Sequence, residues 1–203
     1  MEAFEIAVAG SSVRVPDVFV ECEVPEGAPQ GAVAFRSATT GSQTLLVVSE
    51  IPAAAAMPFD NFWLLVDGIH GGLSAEQGLV EANAAKTRAG AAFAYGLIKT
   101  KHEPTGVEYS LTFQLLLDGT IANVQAFFDE AGNTGLRDAF VYSRLQREGE
   151  SALLENWSYD PYDEEVTTGF LMTVAEKAEY DFMFPDHPLT TARSFIDFVR
   201  KHN

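Results

Sequence analysis

Apolar and polar residues alternate with a period of two through much of the chain, and the alternation gives way to helical spacing at a few places. Tyr109, Leu111, Phe113 and Leu115 alternate with Glu108, Ser110, Thr112 and Gln114, the pattern of a half-buried antiparallel strand. Phe93, Tyr95, Leu97 and Lys99 alternate in the same way with Ala92, Ala94, Gly96 and Ile98. With their neighbours these runs predict four successive strands, Gly78 to Thr87, Ala92 to Glu103, Val107 to Leu117 and Ile121 to Phe128. Their breaks are Arg88-Ala89-Gly90, Pro104-Thr105-Gly106 and Asp118-Gly119, the last being the strongest short hairpin signal in the chain. Upstream, Gly31 to Ala38 and Gln43 to Ile51 predict two strands joined across Thr39-Thr40-Gly41-Ser42. Val18, Val20, Cys22 and Val24 fall on one face of a further strand-like run, which predicts a buried structural thiol at Cys22.

Helical spacing appears first at Phe62, Leu65, Val66 and Ile69, with Asp60 as the predicted N-cap and Gly71-Gly72 as the stop. The single apolar stripe predicts a helix that covers a sheet. Thr134 is placed to cap a second helix running through Leu136, Ala139, Phe140, Ser143 and Arg144 toward Gln146. Thr173 and Glu176 have capping-box spacing, and a helix from Val174 to about Phe182 would bury Val174, Ala178 and Phe182. Asp186 is placed to cap a last helix with the core stripe Leu189, Ala192, Phe195, Ile196 and Val199. Arg200, Lys201 and His202 sit at its C-terminus, which favours positive charge.

The order strand, strand, helix, four strands, helix predicts an α+β fold with an antiparallel meander and flanking helices, followed by a helical C-terminal extension. It divides the chain into an α+β unit over 1–147 and an extension over 148–203. Over roughly residues 11–147 this order resembles the Mog1/PsbP-like fold. The resemblance is carried by Thr44 to Ile51 before the first helix, Thr105-Gly106-Val107-Glu108-Tyr109 in the meander and Leu136 to Leu145 at the end. It implies a partner-binding or assembly role rather than chemistry, and it assigns no individual residue a function.

Charge sharpens this picture. The 203 residues hold 13 Lys and Arg against 29 Asp and Glu, a net −16, with 47% hydrophobic residues. So apolar a chain has the means to bury a core, and so acidic a one lacks the basic face that nucleic acid requires. Between Glu148 and Asp186 there are 11 acids and one base, Lys177, so a net −10 falls within 39 residues. The same segment carries Trp157, Tyr159, Tyr162, Phe170, Tyr180, Phe182 and Phe184, and acids mixed with aromatics are not the composition of a solvating tail. The apolar stripe of the last helix must be covered, either by the chain's own sheet or by a partner.

No phosphate-binding glycine loop occurs, and Gly68-Ile69-His70-Gly71-Gly72 has no Gly-x-Ser-x-Gly elbow to accompany it. The four histidines, His70, His102, His187 and His202, show no metal-ligand spacing, and Asp160, Asp163, Glu164 and Glu165 lack a calcium-loop pattern. No catalytic residue, metal or cofactor is assigned; His187, between Asp186 and Pro188, is the best isolated candidate for a tuned imidazole, although capping or packing at the helix junction suits it better. The lone Cys22 excludes an intramolecular disulfide, the acidic start Met1 to Glu5 lacks a basic n-region, and 51–66 is interrupted by two prolines and Asp60. A cytoplasmic location away from membranes is the default expectation. The expected function is a non-catalytic protein-interaction or assembly module that meets a basic or mixed protein surface through Trp157, Tyr159, Asp160, Tyr162, Asp163 and Glu164. The alternative is a small-molecule-binding or hydrolytic protein with a cleft between the sheet and the extension.

Overall fold

The computed structural model describes residues 2–8, 10–102 and 106–203, and its centre is a seven-stranded antiparallel sheet. The strands are β3 (Val20–Cys22), β4 (Val33–Ala38), β5 (Ser42–Ile51), β6 (Gln77–Lys86), β7 (Ala92–Lys101), β8 (Val107–Leu117) and β9 (Thr120–Glu130), in the order β3-β4-β5-β9-β8-β7-β6. The fold is therefore the expected α+β architecture built on an antiparallel meander. Asp118 and Gly119 both take positive φ (47° and 87°) between the paired residues Leu117 and Thr120, which makes a two-residue turn with the twist that adjacent strands need. The predicted break at 104–106 lies outside the described residues as far as Thr105, as does the Thr105 of the meander motif.

The two sheet faces are covered unequally. Helix α1 (Phe62–His70) lays Leu65 and Val66 on Leu79, Ala82 and Ala94 of β6 and β7. Its N-cap is Asn61, whose Oδ1 accepts from Leu64 N–H at 3.1 Å, and not Asp60. The link ahead of it is tied to the sheet by the buried Gln114, whose Oε1 accepts from Met57 N–H at 2.7 Å. The opposite face carries α4 (Pro188–His202), whose stripe Leu189, Ala192, Phe195, Ile196 and Val199 joins Leu46, Phe93, Leu111, Phe113 and Phe128 in one core. His187, not Asp186, caps α4, with Nδ1 accepting from Leu189 N–H. The N-terminal hairpin β1 (Ala3–Val8) and β2 (Ser11–Pro16) completes this core with Ile6, Val8, Val13 and Val15.

Between β9 and α4 the chain forms α2 (Leu136–Glu148), α3 (Ser151–Glu155), a two-residue ladder of β10 (Ser158–Tyr159) with β11 (Met172–Thr173), and two 3₁₀ stretches, Val174–Glu176 and Ala178–Met183. Three expectations change here. Helix α2 begins after Gly135, in the left-handed region at φ 72°, rather than at a Thr134 cap, and it buries Arg137, Val141 and Leu145 while Ala139 and Phe140 face out. The expected helix from Val174 to Phe182 is broken at Lys177, which is extended, so Val174 is buried but Ala178 and Phe182 are exposed. The run around Cys22 narrows to the short edge strand β3, which leaves Val18 and Val20 exposed and Cys22 half-buried instead of in the core. Only Val20, Glu21 and Cys22 of the run pair with β4, so the rest of it lies outside the sheet.

Candidate functional site

The residues singled out in the acidic–aromatic segment fold largely into the protein. Trp157 is half-buried in a small core with Val141, Leu145, Val174 and Tyr180, and its ring meets Tyr142 edge-on at 5.2 Å. Tyr159 is half-buried between this core and the main one, with Lys177 Nζ 5.9 Å from its ring centre. Tyr162 Oη donates to Ala82 O at 3.2 Å and accepts from Ala82 N–H at 2.7 Å, and its ring meets Phe62 edge-on. Asp160 is buried: Oδ1 accepts from Tyr162 and Asp163 N–H, and Oδ2 lies 3.0 Å from His70 Nε2. Of the six, only Asp163 and Glu164 are exposed. The structure thus brings these residues together, with the aromatic rings pointing inward and a short acidic rim outward.

A buried charge network docks this segment on the sheet. Lys99 Nζ pairs with Glu176 Oε2 at 2.8 Å, and Tyr109 Oη donates to Glu176 Oε1 at 2.7 Å. Arg137 is wholly buried and fully engaged. Its Nε donates to Ala175 O at 2.6 Å, its terminal nitrogens to Lys177 O, Thr190 Oγ1 and, at 2.7 Å, Asp181 Oδ1. Arg193 reaches Asp181 at 3.0 Å and Glu81 Oε2 at 3.0 Å, and Tyr95 Oη donates to the other oxygen of Glu81. Burial first, and then the charge of Glu81, push the Tyr95 hydroxyl far above its ordinary range, so it stays a donor. One sign of this network was present in the sequence: Lys99 stands at an apolar position of its strand, where an ammonium requires a carboxylate partner.

Beside this network lies a cleft of about 450 Å3 between the β4–β5 turn, the end of β9, the start of α2 and the link Phe184–His187. His187 Nδ1 is the acceptor of the α4 cap, so its proton sits on Nε2, 3.7 Å from Glu130 Oε1. Burial, and then the charges of Arg137 and Arg193, lower His187 to about 3. The contact with Glu130 therefore joins a neutral imidazole to a carboxylate and is not an ion pair. Burial raises Glu130, opposed by Gly135 N–H, which donates to Oε1 at 3.0 Å. With Arg137 neutralised by Asp181, Glu130 and Asp186 set the sign of the cleft.

Apolar side chains stand at its mouth. Leu136 and Phe140 on the outer face of α2 are 56% and 46% exposed, and Phe140 meets the cleft residue Phe184 edge-on at 5.8 Å. Phe182, two residues before Phe184, is 78% exposed. Helical spacing puts Leu136, Ala139 and Phe140 on one stripe of α2, and that stripe faces out. The inward face goes to Arg137 instead, because its acceptors come from a segment far along the chain. Among the described residues one group of metal-ligating side chains also converges, His102, Glu108 and Asp129, brought together by strand register and not by chain spacing. Among the described residues no helix is long and apolar enough to cross a membrane.

No protein-family model and no curated protein matches the chain. Among solved structures it is similar to a point mutant of the protein Mog1, at 10% identity over 70% of this chain and 84% of that one with a TM-score of 0.43. It is similar to the Ran-binding protein Mog1p of Saccharomyces cerevisiae, at 10% identity over 77% of this chain and 84% of that one, with a TM-score of 0.39. A cyanobacterial PsbP from Synechocystis is similar at 14% identity over 69% of this chain and 81% of that one, with a TM-score of 0.36.

Proposed function

We propose that the protein is a non-catalytic interaction module of the cytoplasm that captures a basic, amphipathic segment of a partner protein. The carrying observation is the exposed apolar pair Leu136 and Phe140 beside a cleft whose lining carboxylates are Glu130 and Asp186. Neighbouring large apolar side chains on one helix face beside an acidic cleft mark a contact site rather than random exposure. The cleft accepts one aliphatic anchor of the partner, and a Lys or Arg beside it meets Asp186 and Glu130. Asp163 and Glu164 add long-range attraction that speeds encounter, while Trp157, Tyr159, Asp160 and Tyr162 hold the acidic loop in place.

A small-molecule reading draws on the same cleft and on its perturbed His187 and Glu130. Its polar groups are committed to one another, however: Arg137 to the tail, His187 to the α4 cap and Glu130 to Gly135. That arrangement favours a surface which seats an apolar side chain over one that grips a polar ligand.

Fluorescence anisotropy with a labelled Leu/Lys amphipathic peptide tests the proposal. Wild-type protein is expected to bind it with strong salt dependence. Leu136→Asp combined with Phe140→Asp is expected to weaken binding ~10-fold or more while the melting temperature is kept, because both positions are exposed. Equal affinity of the wild type and the double variant would overturn this assignment, and a loss confined to Asp163→Asn with Glu164→Gln would move the contact to the acidic loop.

A further inference from the structure

We propose that His102, Glu108 and Asp129 form a site for a divalent transition-metal ion of the zinc type. Glu108 on β8 and Asp129 on β9 are direct cross-strand partners. They lie on the sheet face opposite α4, because the next pair in the ladder, Tyr109 and Phe128, is buried under that helix. Like charges placed opposite each other destabilise a sheet. Here that cost is built into two long central strands, where register fixes both carboxylates. Partial burial and then the charge of Asp129 raise Glu108, while His102 acts in the other direction.

The imidazole is the third element. His102 follows the last residue of β7 and places Nε2 3.7 Å from Glu108 Oε2, and one ligand atom from each of the three residues lies within 4.8 Å of the other two. Zinc bonds of about 2.0–2.1 Å in a tetrahedron put neighbouring ligand atoms roughly 3.3–3.5 Å apart. The His102–Glu108 separation is within a few tenths of that edge already, and side-chain rotation closes the rest. One imidazole with two carboxylates is a donor set for zinc-like ions, whereas calcium and magnesium sites are all oxygen. Three protein ligands leave the fourth position open for water or for a donor from another molecule. Gln43 and Thr100 stand across from Asp129 and Glu108 on the flanking strands, in positions to support the two ligand carboxylates. This site is separate from the cleft beside α2 and does not depend on the partner-binding proposal.

The test uses the full chain, free of tag and treated with chelator, titrated with Co2+ as a spectroscopic probe and then with Zn2+. One Co2+ per chain is expected, with visible d–d absorption that Zn2+ displaces. His102→Ala, Glu108→Gln and Asp129→Asn are each expected to abolish the absorption and weaken binding by more than ~100-fold. Thermal melting supplies the second measurement: Zn2+ should raise the melting temperature of the wild type and of none of the variants. Metal-free Asp129→Asn should melt at or above the wild type, because the opposed charges are relieved, and this shows that the variant folds. The absence of saturable binding overturns the proposal, and so does one-to-one binding that survives any of the three substitutions at full strength.

Discussion

Lys99 Nζ lies 2.8 Å from Glu176 Oε2, with both side chains only 2% exposed, and the pair joins an inner strand of the sheet to the segment that precedes α4. The ammonium also rests 4.2 Å over the ring of Phe170, and the carboxylate accepts from Tyr109 Oη and from Thr173 N–H. The C-terminal segment is thereby locked to the sheet by charge as well as by the apolar stripe of α4. Removing one partner of such a pair leaves a charge uncompensated in the interior. Lys99→Met and Glu176→Leu are each expected to cost about 3–5 kcal/mol of stability, and the double variant less than the sum of the two. Denaturant titration of the four proteins measures the coupling. Additive costs would show that the pair is not a unit.

The same contacts predict what truncation does. Every acceptor of Arg137 (Ala175, Lys177, Asp181 and Thr190) lies beyond Glu150, as does the helix that covers Phe93, Leu111, Phe113 and Phe128. A chain ending at Glu150 is expected to lose cooperative thermal unfolding, read by calorimetry, because a buried guanidinium and an apolar sheet face both lose their cover. A sharp melting transition near that of the full chain would contradict this. Binding experiments on this protein therefore call for point substitutions rather than deletions.

His187 gives a pH dependence with a definite sign. Its pKa falls from an ordinary value near 6.5 in the unfolded chain to about 3 in the fold, where burial and then Arg137 and Arg193 disfavour its charged form. A depressed folded pKa contributes stability that is complete above pH ~6.5 and is lost as the pH falls toward 3, on the order of 4–5 kcal/mol across the window. Glu130, which faces it, is raised by burial and works in the opposite direction in acid. His187→Asn keeps a capping acceptor ahead of α4 and removes the titration. Denaturant midpoints at pH 7, 5.5 and 4.5 should fall more steeply for the wild type than for the variant, and parallel slopes would rule out this role for His187.

These contacts also show where local pattern informs and where it stops. The meander from Gln77 to Glu130, helix α1 and the stripe of α4 were legible, because alternation and 3.6-residue spacing report which face of an element meets the core. The hairpin of Ala3–Val8 and Ser11–Pro16 carries the same signal more faintly, in the short runs of Phe4, Ile6 and Val8 and of Val13 and Val15. Other features are set by partners distant in sequence. Arg137 faces inward because carbonyls and Asp181 from the tail surround it, which leaves Leu136 and Phe140 outside. Trp157, Tyr159 and Tyr162 look like docking anchors in a linear segment and become internal supports once α2 and β6 are in place. His102, Glu108 and Asp129 meet only through register.

Tyr162 separates the two roles open to the acidic–aromatic segment. Its hydroxyl both donates to and accepts from the backbone of Ala82 in β6. Tyr162→Phe is expected to lose about 1–3 kcal/mol, since Ala82 N–H and C=O are left without their partner in a partly buried place. Glu164→Gln, in the exposed rim, should stay within about 0.5 kcal/mol of the wild type. Equilibrium unfolding distinguishes them. Wild-type stability for Tyr162→Phe would mean that the ring is free to serve a partner.

Close backbone approach at Gly78 provides the last test of how the tail is seated. A Cβ built on Gly78 would lie 2.0 Å from Phe170 O and 2.8 Å from its carbonyl carbon, backbone atoms held in place because Phe170 N–H donates to Gln77 O at 3.3 Å. At Gly96 the nearest atom is the Cδ1 of Ile69 at 2.7 Å, the end of a side chain that can turn away. Gly78→Ala must therefore push the Phe170 segment off β6 and carry with it the ring beneath Lys99. A loss of about 2 kcal/mol or more is expected there, with a smaller one for Gly96→Ala. Faster amide exchange around Phe170 and Leu171 in Gly78→Ala, with the β8–β9 ladder unchanged, would place the damage at this contact. Uniform loss of protection across the sheet would show instead that the seat of the tail and the sheet open as one unit.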